Sequence, residues 1–285
     1  MTLRLLFILA CTVALGRAET PSEAALALFK AQRYPEARAA YEKIAAAEPK
    51  NAGARYFLGV LALRRSDTDE AIRQLEQATI LAPTNSEYFA ELGGAYGNAA
   101  GKAGMLAQMG LAKKCQAALQ KAVELDPANL GARNGLLNYY RQAPALMGGG
   151  VGKAYEQAEE IRKRDALMGA SVYAQLYLSE KKYDQAFASL ETYLKTAPDT
   201  YVILYSLGRP AAQTGQQLER GEQTLRRCLE LTPGTNEPSH AAVHWRLGNL
   251  AEKRGNPAAA RAEYEAALKL DPTFAQAKES LTKLK

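Results

Sequence analysis

The sequence predicts an all-α protein built as a linear array of paired helices, on three observations. Its residues are dominated by Ala, Leu, Glu, Lys, Gln and Arg, all good helix formers, and 47% are hydrophobic with 23% charged, the mix of a chain that folds around a core. Six prolines, Pro49, Pro83, Pro127, Pro198, Pro233 and Pro272, each follow an amphipathic segment by a residue or two, where proline stops a helix. The stretch Ala241–Pro272, AAVHWRLGNLAEKRGNPAAARAEYEAALKLDP, reads as two such helices joined by Gly-Asn-Pro and closed by Asp-Pro.

Counting back from the prolines divides residues 19–285 into seven units near 19–49, 50–83, 84–127, 128–166, 167–198, 199–233 and 239–272, with Ala166 where a seventh proline is missing. The first unit has Ala37 and Tyr41 in its second helix but a degenerate first one. The second is regular, with Leu58-Gly59, Ala71, Leu75 and Ala78. The third carries Leu92-Gly93 and Tyr96, then ten extra residues before Lys113–Leu125. The fourth opens with Leu136 and Tyr140 and gains five residues through Ala143–Lys153. The fifth has Tyr177, Ala186 and Leu190, and the sixth has Leu207-Gly208 with Pro210 inside its first helix, where a kink is expected. A lengthened turn, Gly234–Pro238, precedes the seventh, and residues 274–284 form one more amphipathic helix.

In the seventh unit Leu247-Gly248, Ala260, Tyr264 and Pro272 fall where the tetratricopeptide pattern puts its small, aromatic and terminal residues, so the chain resembles the tetratricopeptide repeat (TPR) family. The resemblance implies a right-handed α-solenoid of about seven helix-turn-helix repeats with a C-terminal capping helix. No repeat buries its apolar faces alone, so stacking supplies the stability. Gly59, Gly93, Gly208 and Gly248 are expected to let paired helices approach closely.

Residues 1–18 have the layout of a secretory signal peptide: Arg4, an apolar run Leu5–Leu15, then Gly16-Arg17-Ala18, with cleavage expected near Gly16 or Ala18. An acylated Cys11 is disfavoured, because apolar sequence continues past it and bulky Leu9 sits two positions before it. No second apolar run long enough to span a bilayer occurs. A periplasmic or secreted protein is therefore expected. Loss of Arg4 and Arg17 lowers the net charge from +6 to +4, 34 basic residues against 30 acidic. The charges are interspersed, which disfavours a nucleic-acid partner. Cys115 and Cys228 fall on second helices three repeats apart, beyond the reach of a disulfide, and are expected as buried free thiols.

Features that look like chemistry fall short of it. Gly148–Lys153 lacks the first glycine of a phosphate loop, the Ser or Thr after the lysine and a preceding strand. His240 and His244 are one helical turn apart but lack a His-Glu-x-x-His pattern, so no metal site is expected. The acids lie on Glu/Lys/Arg-rich helix faces, and nothing resembles a nucleophile, base and oxyanion arrangement. No catalytic residue and no cofactor is assigned, and a protein or peptide is the expected partner.

Two surfaces are candidates for it. In the family the first helices line a concave groove, which the resemblance implies would here be lined by Asn134, Asn138, Arg141, Ser171, Gln175, Tyr205, Arg209, Trp245 and Asn249. The Asn134/Asn138 pair partly resembles the carboxylate-clamp class, which uses Lys at the first of these positions. The other surface is the rim at the two insertions, with Met105, Leu106, Met109, Leu146 and Met147, suited to a partner or to self-association. The alternative for the methionines is that they pack against the neighbouring loop.

Overall fold

A computed structural model describes residues 20–284; the expected signal peptide lies outside them. The described chain is fifteen α-helices in sequence order and no strand. They are α1 (Pro21–Lys30), α2 (Tyr34–Ala47), α3 (Ala52–Arg64), α4 (Thr68–Leu81), α5 (Ser86–Lys102), α6 (Met105–Leu125), α7 (Leu130–Gln142) and α8 (Val151–Arg162). There follow α9 (Ala166–Ser179), α10 (Tyr183–Leu194), α11 (Tyr201–Thr214), α12 (Leu218–Leu229), α13 (His240–Lys253), α14 (Pro257–Leu270) and α15 (Ala275–Lys283).

Local sequence sets the helix starts. Asn51, Asp67, Asn85, Asn129, Asp165, Ser239 and Asn256 are N-caps whose side chains accept a hydrogen bond from the backbone N–H three residues on. Thr20 and Glu23 form a capping box at α1. In four repeats the two helices are joined by a turn with one left-handed residue, Gln32, Ser66, Lys181 or Gly255. Only glycine takes that conformation without steric cost. Repeats three and four abandon this turn.

Each odd-numbered helix packs antiparallel on the even-numbered one after it, and each even one on the next odd helix. Odd helices also touch one another, α5 on α7 and α11 on α13 most closely. Even helices are held through the odd ones between them. The layer whose members meet is the inner layer of a curved stack, so the odd helices form its concave side. Close approach within pairs follows from glycine facing a large side chain. A β-carbon on Gly59 would stand 2.6 Å from Leu75, on Gly208 2.2 Å from Leu225, and on Gly248 2.3 Å from Tyr264. Leu119 is enclosed on two sides, since β-carbons on Gly93 of α5 and on Gly135 of α7 would each stand 2.6 Å from it. That one leucine joins repeats three and four. At the end of the array Ala277, Phe274 and Leu281 of α15 and its flanks cover Tyr264, Ala260 and Ala267.

Several expectations take a different form in the structure. The ten extra residues of repeat three make no loop but lengthen both α5 and α6, to 17 and 21 residues. Helix α5 exceeds its neighbours by about one turn and α6 by about two. The glycine run of repeat four is no open loop either. It folds back on the end of α7, where Gly150 N–H donates to Tyr140 O at 2.8 Å and Tyr139 OH to Met147 O at 2.7 Å. Gly149 has no room for a side chain, because a β-carbon would stand 1.8 Å from Ala143 O. Helix α11 continues through Pro210 as one element. Cys115 and Cys228 are buried and unpaired, and burial pushes their thiols up, to about 11 and about 12.

Candidate partner-binding surfaces

The inner layer is set apart by charge. Among the described residues, α3, α7, α9 and α11 contain no Asp or Glu, whereas every even helix except α6 carries at least two; α6 has only Glu124. Arginines on the even helices are mostly neutralised: Arg38 by Glu42, Arg73 by Glu70, Arg162 by Glu159, Arg220 by Glu191, Arg226 by Glu222 and Arg227 by Asp199. Arg141, Arg209 and Arg246 of the inner helices have no ion pair among the described residues, nor do Arg55, bonded to Gln74, and Arg64, stacked on Phe29 and Tyr34, of α3. Arg133 is the inner exception and is structural. It is buried, its Nε donates to Pro127 O at 2.7 Å, and a guanidinium nitrogen donates to Gln157 Oε1 at 3.0 Å. Desolvation holds its pKa below the ordinary guanidinium value.

The expected groove residues divide on inspection. Asn134, Asn138 and Arg141 form a ladder on α7: Asn138 Nδ2 donates to Asn134 O at 3.0 Å, and Arg141 donates to Asn138 Oδ1 at 3.3 Å. The Arg141 Nε is buried with no acceptor among the described residues. Gln175 and Arg209 are exposed. Ser171 is half-buried, and its hydroxyl donates to Leu167 O at 3.0 Å. Tyr205 is only 9% exposed and packs in the core of repeats five to seven, its hydroxyl accepting from Arg246 Nε at 3.4 Å. Trp245 is half-buried. Its indole N–H donates to Ser280 Oγ at 3.1 Å and its ring meets Phe274 edge-on, so the capping helix holds it. Asn249 Oδ1 accepts from the Tyr264 hydroxyl at 2.7 Å. Arg246, absent from the sequence expectation, lies over the Trp245 ring at 4.1 Å. Its position next to Trp245 was the signal that could have identified it.

The rim residues divide as well. Met105, Leu106 and Leu146 are 78%, 89% and 83% exposed and Met109 is partly so, while Met147 is half-buried in the turn against α7. The histidines diverge: His240 Nε2 lies 2.8 Å from Leu231 O at the end of α12, and His244 Nδ1 lies 2.7 Å from Glu263. Both roles tie adjacent helices together.

A cleft of about 610 Å³ opens on the opposite side, between α8 and α10 over α9. Small residues Ala166, Ala170, Ala188 and Ser189 leave the space, and Tyr173, Tyr177 and Tyr193 wall it. Tyr173 OH donates to Glu159 Oε2 at 3.0 Å. The cleft was not identified from the sequence; a run of Ala and Ser at facing positions was its only sign.

Family models for the tetratricopeptide repeat match residues 22–86, 101–129, 172–200 and 241–274, together more than half of the chain. No curated protein matches the sequence. Among solved structures, a tetratricopeptide repeat protein from Parabacteroides merdae is similar over 92% of this chain and 96% of its own, with 13% identity and a TM-score of 0.62. A thermophilic TPR protein of Thermus thermophilus is similar over 73% of this chain and 97% of its own, with 19% identity and a TM-score of 0.53. Human IFIT1, a dimer solved with a capped RNA, m7Gppp-AAAA, is similar over 94% of this chain and 62% of its own, with 18% identity and a TM-score of 0.63. These likenesses concern the fold. The paired helices, their glycine-to-large-residue contacts and the family matches agree: the chain belongs to the tetratricopeptide repeat family.

Proposed function

We propose that this protein is a binding scaffold that holds an extended, carboxylate-bearing segment of a protein partner along the inner helices α7 to α13. The observation that carries the reading is the contrast in charge. Arginines of the outer layer are mostly neutralised by their own chain, whereas Arg141, Arg209 and Arg246 of the inner layer are left for another. Guanidinium groups take carboxylates in two-point hydrogen bonds, and the side-chain amides of Asn138 and Gln175 suit a peptide backbone. The role is binding and not catalysis, since no nucleophile and base are brought together on this face. Nucleic acid is no part of it, because the three arginines are spaced along the array without a continuous basic track. We place the work outside the cytoplasm, in envelope assembly or secretion, on the strength of the leader-like residues 1–18. Cell fractionation with sequencing of the mature N-terminus tests the location; an intact Met1 in the cytoplasmic fraction contradicts it. Affinity capture with the wild type and with Arg141→Ala/Arg209→Ala tests the binding face. Loss of specific proteins from the variant's capture is expected, and identical captures would contradict the reading.

A further inference from the structure

Seven large hydrophobic side chains are conspicuously exposed among the described residues, and five of them, Met105, Leu106, Met109, Leu146 and Val151, belong to α6, the turn before α8 and the first residue of α8. The turn lies against the middle of α6, with Gly148 beside Gln116. The apolar residues therefore lie at two places along α6, Leu146 and Val151 at the turn beside its middle and Met105, Leu106 and Met109 in a strip at the free tip of the overlong α5–α6 pair. Charge around both has one sign. No Asp or Glu occurs between Glu91 and Glu124 or between Asp126 and Glu156, and the exposed charges beside them are Lys102, Lys113, Lys114 and Lys153. Nearby acids lie on another helix: Glu76 of α4 stands 3.7 Å from Lys114, and Lys102 reaches Thr68, which Asp67 and Asp69 flank.

The order along the helix matters. Met105, Met109 and Lys113 follow one another at four-residue intervals, and so do Leu106, Gly110 and Lys114, so each row runs from an apolar tip to a cation. Eight residues of helix put the lysines about 12 Å behind the tip. That is the layering of a bilayer surface, where apolar side chains enter about 5–10 Å and lysines meet the headgroup phosphates. A second copy of the chain would set lysines against lysines. A nucleic acid would leave Met105, Leu106 and Leu146 in water.

We propose that the overhanging tip of α5–α6, with the turn before α8, docks the protein on an anionic lipid surface, apart from the inner face and independent of what that face binds. The test is co-sedimentation of the full chain, with and without its first eighteen residues, on vesicles of phosphatidylcholine alone and of equal parts phosphatidylcholine and phosphatidylglycerol. Binding to the anionic vesicles only, weakened by salt, is expected. Lys102→Gln/Lys113→Gln should weaken it about twenty-five-fold, at about fivefold for each lysine. Met105→Ser/Leu106→Ser/Met109→Ser should abolish it while leaving the circular dichroism melting curve unchanged, because these side chains are exposed. Equal binding of wild type and either variant would overturn the proposal, as would equal binding to the two vesicle types. A wild type that leaves vesicles in solution but dimerises by light scattering, with the triple variant monomeric, would overturn it in favour of self-association.

Discussion

Leu119 offers a quantitative test of how the array is held together. Its side chain is 3% exposed and wedged between Gly93 and Gly135. Gly93→Ala puts a methyl 2.6 Å from Leu119 Cγ and 2.8 Å from Cδ2, with Cys115 O at 3.3 Å. Overpacking of this kind costs about 1–3 kcal/mol, partly offset by the roughly 1 kcal/mol that alanine gains over glycine inside a helix. The net loss is about 0–2 kcal/mol. Leu119→Ala removes the wedge and should cost about 2–5 kcal/mol. In that background the Gly93→Ala methyl meets space where the leucine stood, the overpacking cost disappears, and the helix gain remains. The double variant should therefore be more stable than the sum of the single losses by about 2 kcal/mol, far outside the roughly 0.3–0.5 kcal/mol scatter of independent sites. Urea titrations followed by circular dichroism measure all four proteins. Additive losses would refute the claim that the glycine exists to admit the leucine.

Other expected outcomes come from turns, thiols and charge. Ser66 and Lys181 hold left-handed backbone that Gly255 holds without strain, so Ser66→Gly and Lys181→Gly should each raise stability by about 0.5–1 kcal/mol and Gly255→Ala lower it by about 1–2 kcal/mol in urea titrations. Because burial raises the Cys115 and Cys228 thiols to about 11 and about 12, the native state keeps protons that the unfolded chain releases. Their contribution is complete below the ordinary thiol value and is lost as pH climbs towards 11 and 12. Melting temperature should accordingly fall above about pH 9, less steeply in Cys115→Ala/Cys228→Ala. Ellman's reagent at pH 8 should leave both thiols unreacted until urea is added.

The fold was largely legible because its rules are local. Proline marks helix ends, Asn and Asp mark starts, and a glycine facing Leu or Tyr marks a close crossing, all visible within about 34 residues. What escaped depended on contacts between repeats. Trp245 reads as an open anchor until α15 supplies Ser280 and Phe274, and Tyr205 reads as inward-facing until Arg246 and the neighbouring core enclose it. The ten extra residues of repeat three show in the sequence only as an insertion, because Gly97, Gly101, Gly104 and Gly110 weaken helix propensity there. Side-by-side packing of α5 and α6 overrides that propensity. The outer cleft over α9 is made by side chains too small to meet, which no motif records.

The central claim is that partners meet the inner layer and not the outer one. Its most direct test is site-specific photo-crosslinking in cells, with a benzoyl-phenylalanine placed in turn at Asn138, Gln175 and Arg209 of the inner helices and at Lys121 and Glu265 of the outer ones. Adducts of defined size from the inner positions alone are predicted. Adducts of the same size from Lys121 or Glu265, with none from the inner three, would contradict it.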